Sequence, residues 1–302
     1  MTEDSDKIVP IRHYGRWLSG AIALTLLALL IKAFAQGEID WPVVGEFFMA
    51  PVLIKGLGNT LFITLLAIIM GLVLGVVFAV MRLSKNPVTN IVASAYIWLF
   101  RGTPVYLQLL IWFNLALVFP TVNLGFYQGR MVTLMTPFLA ALLGLGINEG
   151  AYMTEIVRGG ILSVDRGQLE AASAIGMTRL MAMRRIVLPQ TMRVIVPPIG
   201  NEFIGLLKTS SMASTIAYTE LLHRSQLIYF VNGKVIELLI VAAGWYMIVV
   251  TIFTVIQAQV ERRFSRGQSH EEPPSLLQRM WRNLTIFRRN PPAGTVPEGG
   301  LR

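Results

Sequence analysis

Cysteine is absent from the 302 residues, which excludes disulfides, thiolate metal sites, CxxC redox chemistry and a cysteine nucleophile. Histidine is nearly absent too, and His13, His223 and His270 are too scattered for a zinc motif. Charged residues make up only 14% against about a quarter in soluble domains, while 54% are apolar, so the chain is not a wholly soluble protein. Signatures of chemistry are missing as well. No His-Glu-x-x-His and no Gly-x-Ser-x-Gly occurs, and the apolar runs hold no paired aspartates, which argues against a membrane enzyme or protease. Nor is there a Gly-x4-Gly-Lys-Ser/Thr loop, so this chain cannot cradle ATP phosphates.

What is present is long uncharged runs. A helix needs about 20 mainly apolar residues to cross a hydrocarbon core, and each central charge costs about 2.5 to 3.5 kcal/mol. Five runs qualify: 17–31, carried past Lys32 to 35; 56–81; 86–100 joined across Arg101 to 102–129; 131–148; and 238–260. A sixth, polar candidate covers 194–219 and contains Glu202 and Lys208. The first run reads as an uncleaved anchor rather than a secretory signal, because 33–38 is a poor small-residue cleavage site.

Lys and Arg set the orientation. With the N-terminus inside, six crossings put nineteen of the 26 basic residues on the cytoplasmic side and four outside: Lys55, Arg130, Arg224 and Lys234. Both termini are then cytoplasmic, in a multi-pass membrane protein. The +9 net charge is accounted for by topology and calls for no nucleic acid. Residues 1–16 form a cytoplasmic N-terminus and 17–35 an extra anchor. After Phe264 the composition shifts to Gly, Pro, Ser and charge. Within 265–302, Leu276, Leu277, Met280, Trp281, Leu284 and Phe287 share one helical face among arginines. This basic tail reads either as an amphipathic helix on inner-leaflet lipid or as a disordered segment.

The cytoplasmic stretch 163–190 is too long and too patterned for a connector. Residues 168–175 are helix formers, Gly176 is placed for a left-handed cap, and Thr178 can cap a second short helix that ends before Pro189. Ala171 and Ala172 give a smooth surface, ringed by Arg179, Arg184 and Arg185, that suits docking into a groove of a soluble partner.

Glu170-Ala171-Ala172, Gly176, and Ile186-x-Leu188-Pro189 at this spacing resemble the EAA loop of binding-protein-dependent ATP-binding cassette importers. Phe100-Arg101-Gly102-Thr103-Pro104, Tyr152 with Glu155 and Arg158-Gly159-Gly160, Pro197-Pro198 with Asn201-Glu202, and Lys208-Thr209-Ser210-Ser211 add to this. Together they resemble the polar amino acid permeases, from about Gly56 to Phe264. Thr209 and Met212 depart from the family's usual residues. The resemblance implies an all-α integral membrane protein with about six transmembrane helices: a five-helix permease core at 56–264, an extra N-terminal helix, and a cytoplasmic two-helix coupling loop. It also implies partners: an ATPase dimer that binds ATP and Mg, a second permease subunit, and an extracytoplasmic solute-binding protein. The chain itself would bind no cofactor and no metal and carry no catalytic residue.

Charges within the spans mark candidate pathway residues. Glu202 and Lys208, six apart, lie on different helical faces, and Pro197, Pro198 and Gly200 point to a broken helix lining a cavity. Asn201 and Glu202 are the leading substrate contacts, with Asn148 and Glu149 behind them. Glu155 is expected to pair with Arg158, and Arg101 to sit near the inner interface. Gly71 and Gly75 could form a dimer-contact face. The function these features support is import of a small polar amino acid. The alternatives are another solute, such as an opine or amino acid derivative, and a non-transporting sensor or scaffold.

Overall fold

A computed structural model of the chain describes residues 14–123, 125 and 128–264. The 265–302 tail and most of the 1–16 segment therefore lie outside the described residues. Helix α1 (Tyr14–Gln36) is followed by a short α2 (Trp41–Phe48) and the long α3 (Pro51–Leu83). Next come α4 (Pro87–Gly102), α5 (Val105–Phe113), a hairpin of β1 (Thr121–Asn123) and β2 (Gln128–Arg130), α6 (Met131–Leu134) and α7 (Pro137–Leu162). The loop helices α8 (Arg166–Ala174) and α9 (Arg179–Ala182) lead into α10 (Leu188–Thr209), α11 (Leu221–Asn232) and α12 (Val235–Phe264).

The starts follow local chemistry. Proline occupies the first turn of α3, α4 and α7, where its missing N–H is harmless. Asn86 accepts the Val88 amide at 2.9 Å and Thr136 the Leu139 amide at 3.2 Å. Three helices are long and apolar enough to span a bilayer on composition alone: 17–36, 51–83 and 235–264. At 26 and 22 residues, α7 and α10 also have bilayer length, but they carry polar side chains.

α3 and α7 run parallel. Phe62 stacks on Phe138 at one end, and Gly71 and Gly75 lie under Glu149 and Met153 further along. The seam is reciprocal, since Gly146 faces Met70 and Gly150 faces Leu74. Lipid is as apolar as leucine, so close backbone contact rather than hydrophobic transfer holds such helices together. The two glycines expected to face another subunit are thus consumed inside this chain. α10 runs antiparallel to α7, and α12 antiparallel to α10. The loop end of the bundle therefore gathers residues 83–87, 160–190 and 261–264, and the far end gathers α2, the hairpin and α11.

At the far end α2 is tied to α12. Trp245 Nε1 donates to the Phe48 carbonyl at 2.7 Å, the two rings stack at 5.1 Å, and Glu237 accepts the Asp40 amide at 3.0 Å. Lys234 and Asp40 pair at 2.8 Å. By contrast, no part of the apolar 17–36 span is buried against the rest of the described chain.

Three expectations need correction. The run 102–129 does not continue as one helix: the chain breaks at Thr103–Pro104, and α5 ends at Phe113 before turn-forming Asn114, Pro120 and Asn123. Pro189 does not end a helix. It sits in the first turn of α10, directly after a π-helical turn (Met183–Val187), where the hydrogen-bond ladder changes register and a missing N–H is tolerated. Pro197 and Pro198 do not break α10, which is continuous through both.

Candidate functional site

The 163–190 loop is built by capping. Asp165 accepts the Gly167 amide at 2.7 Å to start α8. Its end is a Schellman cap: Gly176 has φ +78°, its amide donates to Ser173 O at 3.0 Å, and the Met177 amide donates to Ala172 O at 2.9 Å. Thr178 Oγ1 then accepts the Met181 amide at 3.3 Å to start α9. Glu170 and Ala171 are exposed, whereas Ala172 is buried. Ile186 is half-buried, and Leu188 and Pro189 are exposed. Ile175 and Leu180 stand out at 78% and 79% exposure, an apolar tip beyond the bilayer-length helices and of the kind that marks a protein contact.

A second feature lies within the bundle: a cavity of about 420 Å³ whose walls come from three elements. α7 contributes Asn148, Glu149 and Tyr152; α10 contributes Glu202, Gly205, Leu206 and Thr209 at helical spacing; the α4–α5 break contributes residues 101–105. That irregular backbone is stitched from both sides. Asn148 Nδ2 donates to Phe100 O at 2.7 Å, and Gln108 Nε2 donates to Phe100 O at 3.0 Å and to Thr103 Oγ1 at 2.7 Å. Unwound backbone at membrane depth lining a cavity is the arrangement in which it is tolerated.

The cavity has a definite charge inventory. Arg101 lies over the Tyr152 ring at 5.0 Å, and its charge acts attractively on Glu202. Glu202 and Glu149 are the cavity's two acidic side chains. Glu149 is 5% exposed, and its Oε1 has no hydrogen-bond partner. A buried carboxylate oxygen without a donor is costly and calls for a cation.

Of the expected pathway residues, Glu202, Asn148 and Glu149 meet in this cavity, and Asn148 spends its amide on the α4–α5 break. Asn201 and Lys208 do not line it and lie exposed on other faces of α10. Glu155 pairs with Arg158 at 2.6 Å as expected. Arg101 is the last residue but one of the 16-residue α4 and lines the cavity rather than the inner interface at the helix's loop end. Sequence reasoning missed Gln108 and Tyr152 as site residues; a glutamine four residues after an X-Pro break was the available signal for the first.

Residues 71–266 match the family described as "Binding-protein-dependent transport system inner membrane component", a stretch that takes in the loop and all three cavity walls. The chain belongs to that family. Over 263 residues it is 43% identical to the arginine transport system permease protein ArgU of Corynebacterium glutamicum, covering 86% of this chain and 83% of that one. It is 39% identical to the L-cystine transport system permease protein TcyB of Bacillus subtilis, covering 76% and 92%. A crystal structure of an amino acid ABC transporter with histidines matches at TM-score 0.66 and 36% identity, over 75% of this chain and all of that one. The chain is therefore a helical, multi-pass inner-membrane permease subunit of a binding-protein-dependent transport system, of the kind found in amino acid ABC transporters.

Proposed function

We propose that the cavity between α7, α10 and the α4–α5 break holds the amino acid in passage, and that it favours amino acids with a cationic side chain. The observation that carries this reading is the unpartnered, buried Glu149 oxygen in a cavity that already holds Glu202 and one cation, Arg101. Two carboxylates and one guanidinium match two ammonium-type groups and one carboxylate. Arg101 would receive the α-carboxylate, Glu202 the α-ammonium, and Glu149 the side-chain cation. The likeness to an arginine permease supports the same choice.

In this reading the 163–190 loop docks on an ATPase dimer that binds ATP and Mg: Glu170, Ala171, Leu188 and Pro189 are exposed for contact and Ile186 partly so, while buried Ala172 and the Gly176 cap hold the loop's shape. A second permease subunit, a copy or a relative, completes the pathway, and an extracytoplasmic binding protein delivers the substrate. The N- and C-termini are cytoplasmic, 17–35 is a lipid-facing anchor, and 56–264 is the permease domain.

The test is uptake by the reconstituted complex of labelled arginine, lysine, glutamine, cystine and glutamate. A charge-assisted hydrogen bond contributes about 1.5 to 3 kcal/mol, or about tenfold to a hundredfold in rate. Glu149→Gln should lower arginine and lysine uptake by such a factor with little effect on neutral substrates, and Glu202→Gln should lower uptake of all. A wild-type preference for glutamate or glutamine, or an unchanged rank order in Glu149→Gln, would overturn the cationic assignment.

A further inference from the structure

α10 has two working faces. Glu202, Gly205, Leu206 and Thr209 look into the cavity. Pro197, Gly200 and Phe203 lean on α12, where Phe203 meets Phe253 with ring centroids 4.8 Å apart. At 3.6 residues per turn, Gly200 and Glu202 point in nearly opposite directions. On the α12 side stands Gln257, a buried polar residue. Its Nε2 donates to the Pro197 carbonyl at 2.8 Å, across 60 residues of sequence, and to Glu261 Oε1 at 3.1 Å. Its carboxamide lies so close to Gly200 that a Cβ there would overlap it.

The location gives this contact its meaning. Pro197 and Pro198 lack N–H groups, so the helical ladder loses two bonds in this turn, and such a turn bends more easily than its neighbours. On one side of it α10 runs down to the π-helical turn and the loop; on the other it carries Glu202 into the cavity. Gln257 grips this weakened turn at the Pro197 carbonyl.

We propose that Gln257 is a positioning residue for transport: seated on Gly200 and bonded to Pro197, it holds the proline turn of α10 against α12, so that motion of the loop end swings Glu202 and its cavity face. The proposal rests on the cavity being the passage, but not on which amino acid passes. It requires glycine at 200, because any side chain would push Gln257 off the turn.

Since the native chain has no cysteine, Thr209→Cys provides a reporter for the cavity face of α10, read by its labelling rate with a membrane-permeant thiol reagent. Gln257→Leu keeps the size and removes the donor. It should change that labelling rate severalfold and lower uptake about tenfold to a hundredfold, while ATP turnover by the assembled complex is largely kept, as small misplacements of a binding group commonly do. Gln257→Glu, which also lacks the donor, should behave alike. Gly200→Ala should reproduce the defect, and placing Gly200→Ala in a Gln257→Ala background should add little to the loss from Gln257→Ala alone, because the overlapping carboxamide is gone. Native uptake and labelling in Gln257→Leu would overturn the proposal. So would a Gly200→Ala defect as severe in the Gln257→Ala background as in the native one. Failure of the cavity reading has a different signature: modified Thr209→Cys would still transport, although Gln257→Leu changed its labelling.

Discussion

Thr191 Oγ1 donates to the Gly160 carbonyl at 3.2 Å, fastening the first turn of α10 to the last turn of α7. Gly160 also receives the Ile195 side chain so closely that a Cβ would overlap it. The 163–190 loop thus leaves and re-enters the bundle at one clamped point. A push on α8 or α9 therefore reaches α7 and α10 together.

Gly160→Val should separate these helices. Overpacking of this kind costs about 1 to 3 kcal/mol, and Thr191→Val, which removes only the hydrogen bond, about 0.5 to 1.5 kcal/mol. Both variants should lower the number of substrates moved per ATP hydrolysed, Gly160→Val the more. An unchanged ratio in both would show that the clamp plays no part in coupling.

Gly176→Leu attacks the cap itself. The position has φ +78°, and a side chain there costs about 1 to 2 kcal/mol and displaces α9. Uptake and stimulated ATP hydrolysis should fall together while the protein still inserts. Wild-type rates for both would remove the loop from the coupling route.

The link between α2 and the start of α12 should depend on pH only at the extremes. The hydrogen bond and charge of Lys234 hold the Asp40 carboxyl below its ordinary value, so the pair's contribution is present above about pH 4 and is lost as pH falls through that lowered value. Asp40 in turn raises Lys234, whose share persists below about pH 10 and fades above it. Hydrogen exchange of the α2 amides should be flat from about pH 5 to 9 after correction for intrinsic rates. It should rise in acid, and Lys234→Gln should lessen that rise, the remainder coming from the Glu237 carboxylate that accepts the Asp40 amide. A step between about pH 5 and 9 would show that the Asp40–Lys234 pair does not control the link.

Single cysteines test the orientation that the basic residues indicate. Ser173→Cys, on exposed α8, should be shielded from an impermeant reagent added to whole cells. Val231→Cys, 88% exposed on α11, should be labelled. Ser225 on the same helix is unsuitable, being fully buried with its hydroxyl on Leu221 O. Labelling of Ser173→Cys from outside would invert the topology.

Local chemistry was readable and long-range chemistry was not. Gly176 and Thr178 announce their caps within a few residues, and the spacing around Glu170 placed the loop. Glu202 could be singled out because a carboxylate in a membrane-length run is conspicuous. Pro197 and Pro198 suggested a broken helix because proline rules look only four residues back, whereas Gln257 packs on that turn from 60 residues away. The true break, at Thr103–Pro104, is held by Asn148 from 48 residues beyond Phe100. Gly71 and Gly75 could not reveal which helix they would meet, since a glycine pair carries no address.

The reciprocal glycine seam between α3 and α7 also decides which parts of the molecule can act as machinery. Met70 and Leu74 are keyed into Gly146 and Gly150, and Glu149 and Met153 into Gly71 and Gly75, so neither helix can slide along the other without prising the pair apart. Glu149 therefore keeps its place relative to α3, and Arg101, on backbone that Asn148 ties to α7, keeps its place with it. In the proposed cycle the part left to swing is α10 beyond its proline turn, with Glu202. A substrate held there, as proposed, would keep Glu149 and Arg101 as partners and lose Glu202, so release would amount to withdrawing one carboxylate from a fixed pair of opposite charges.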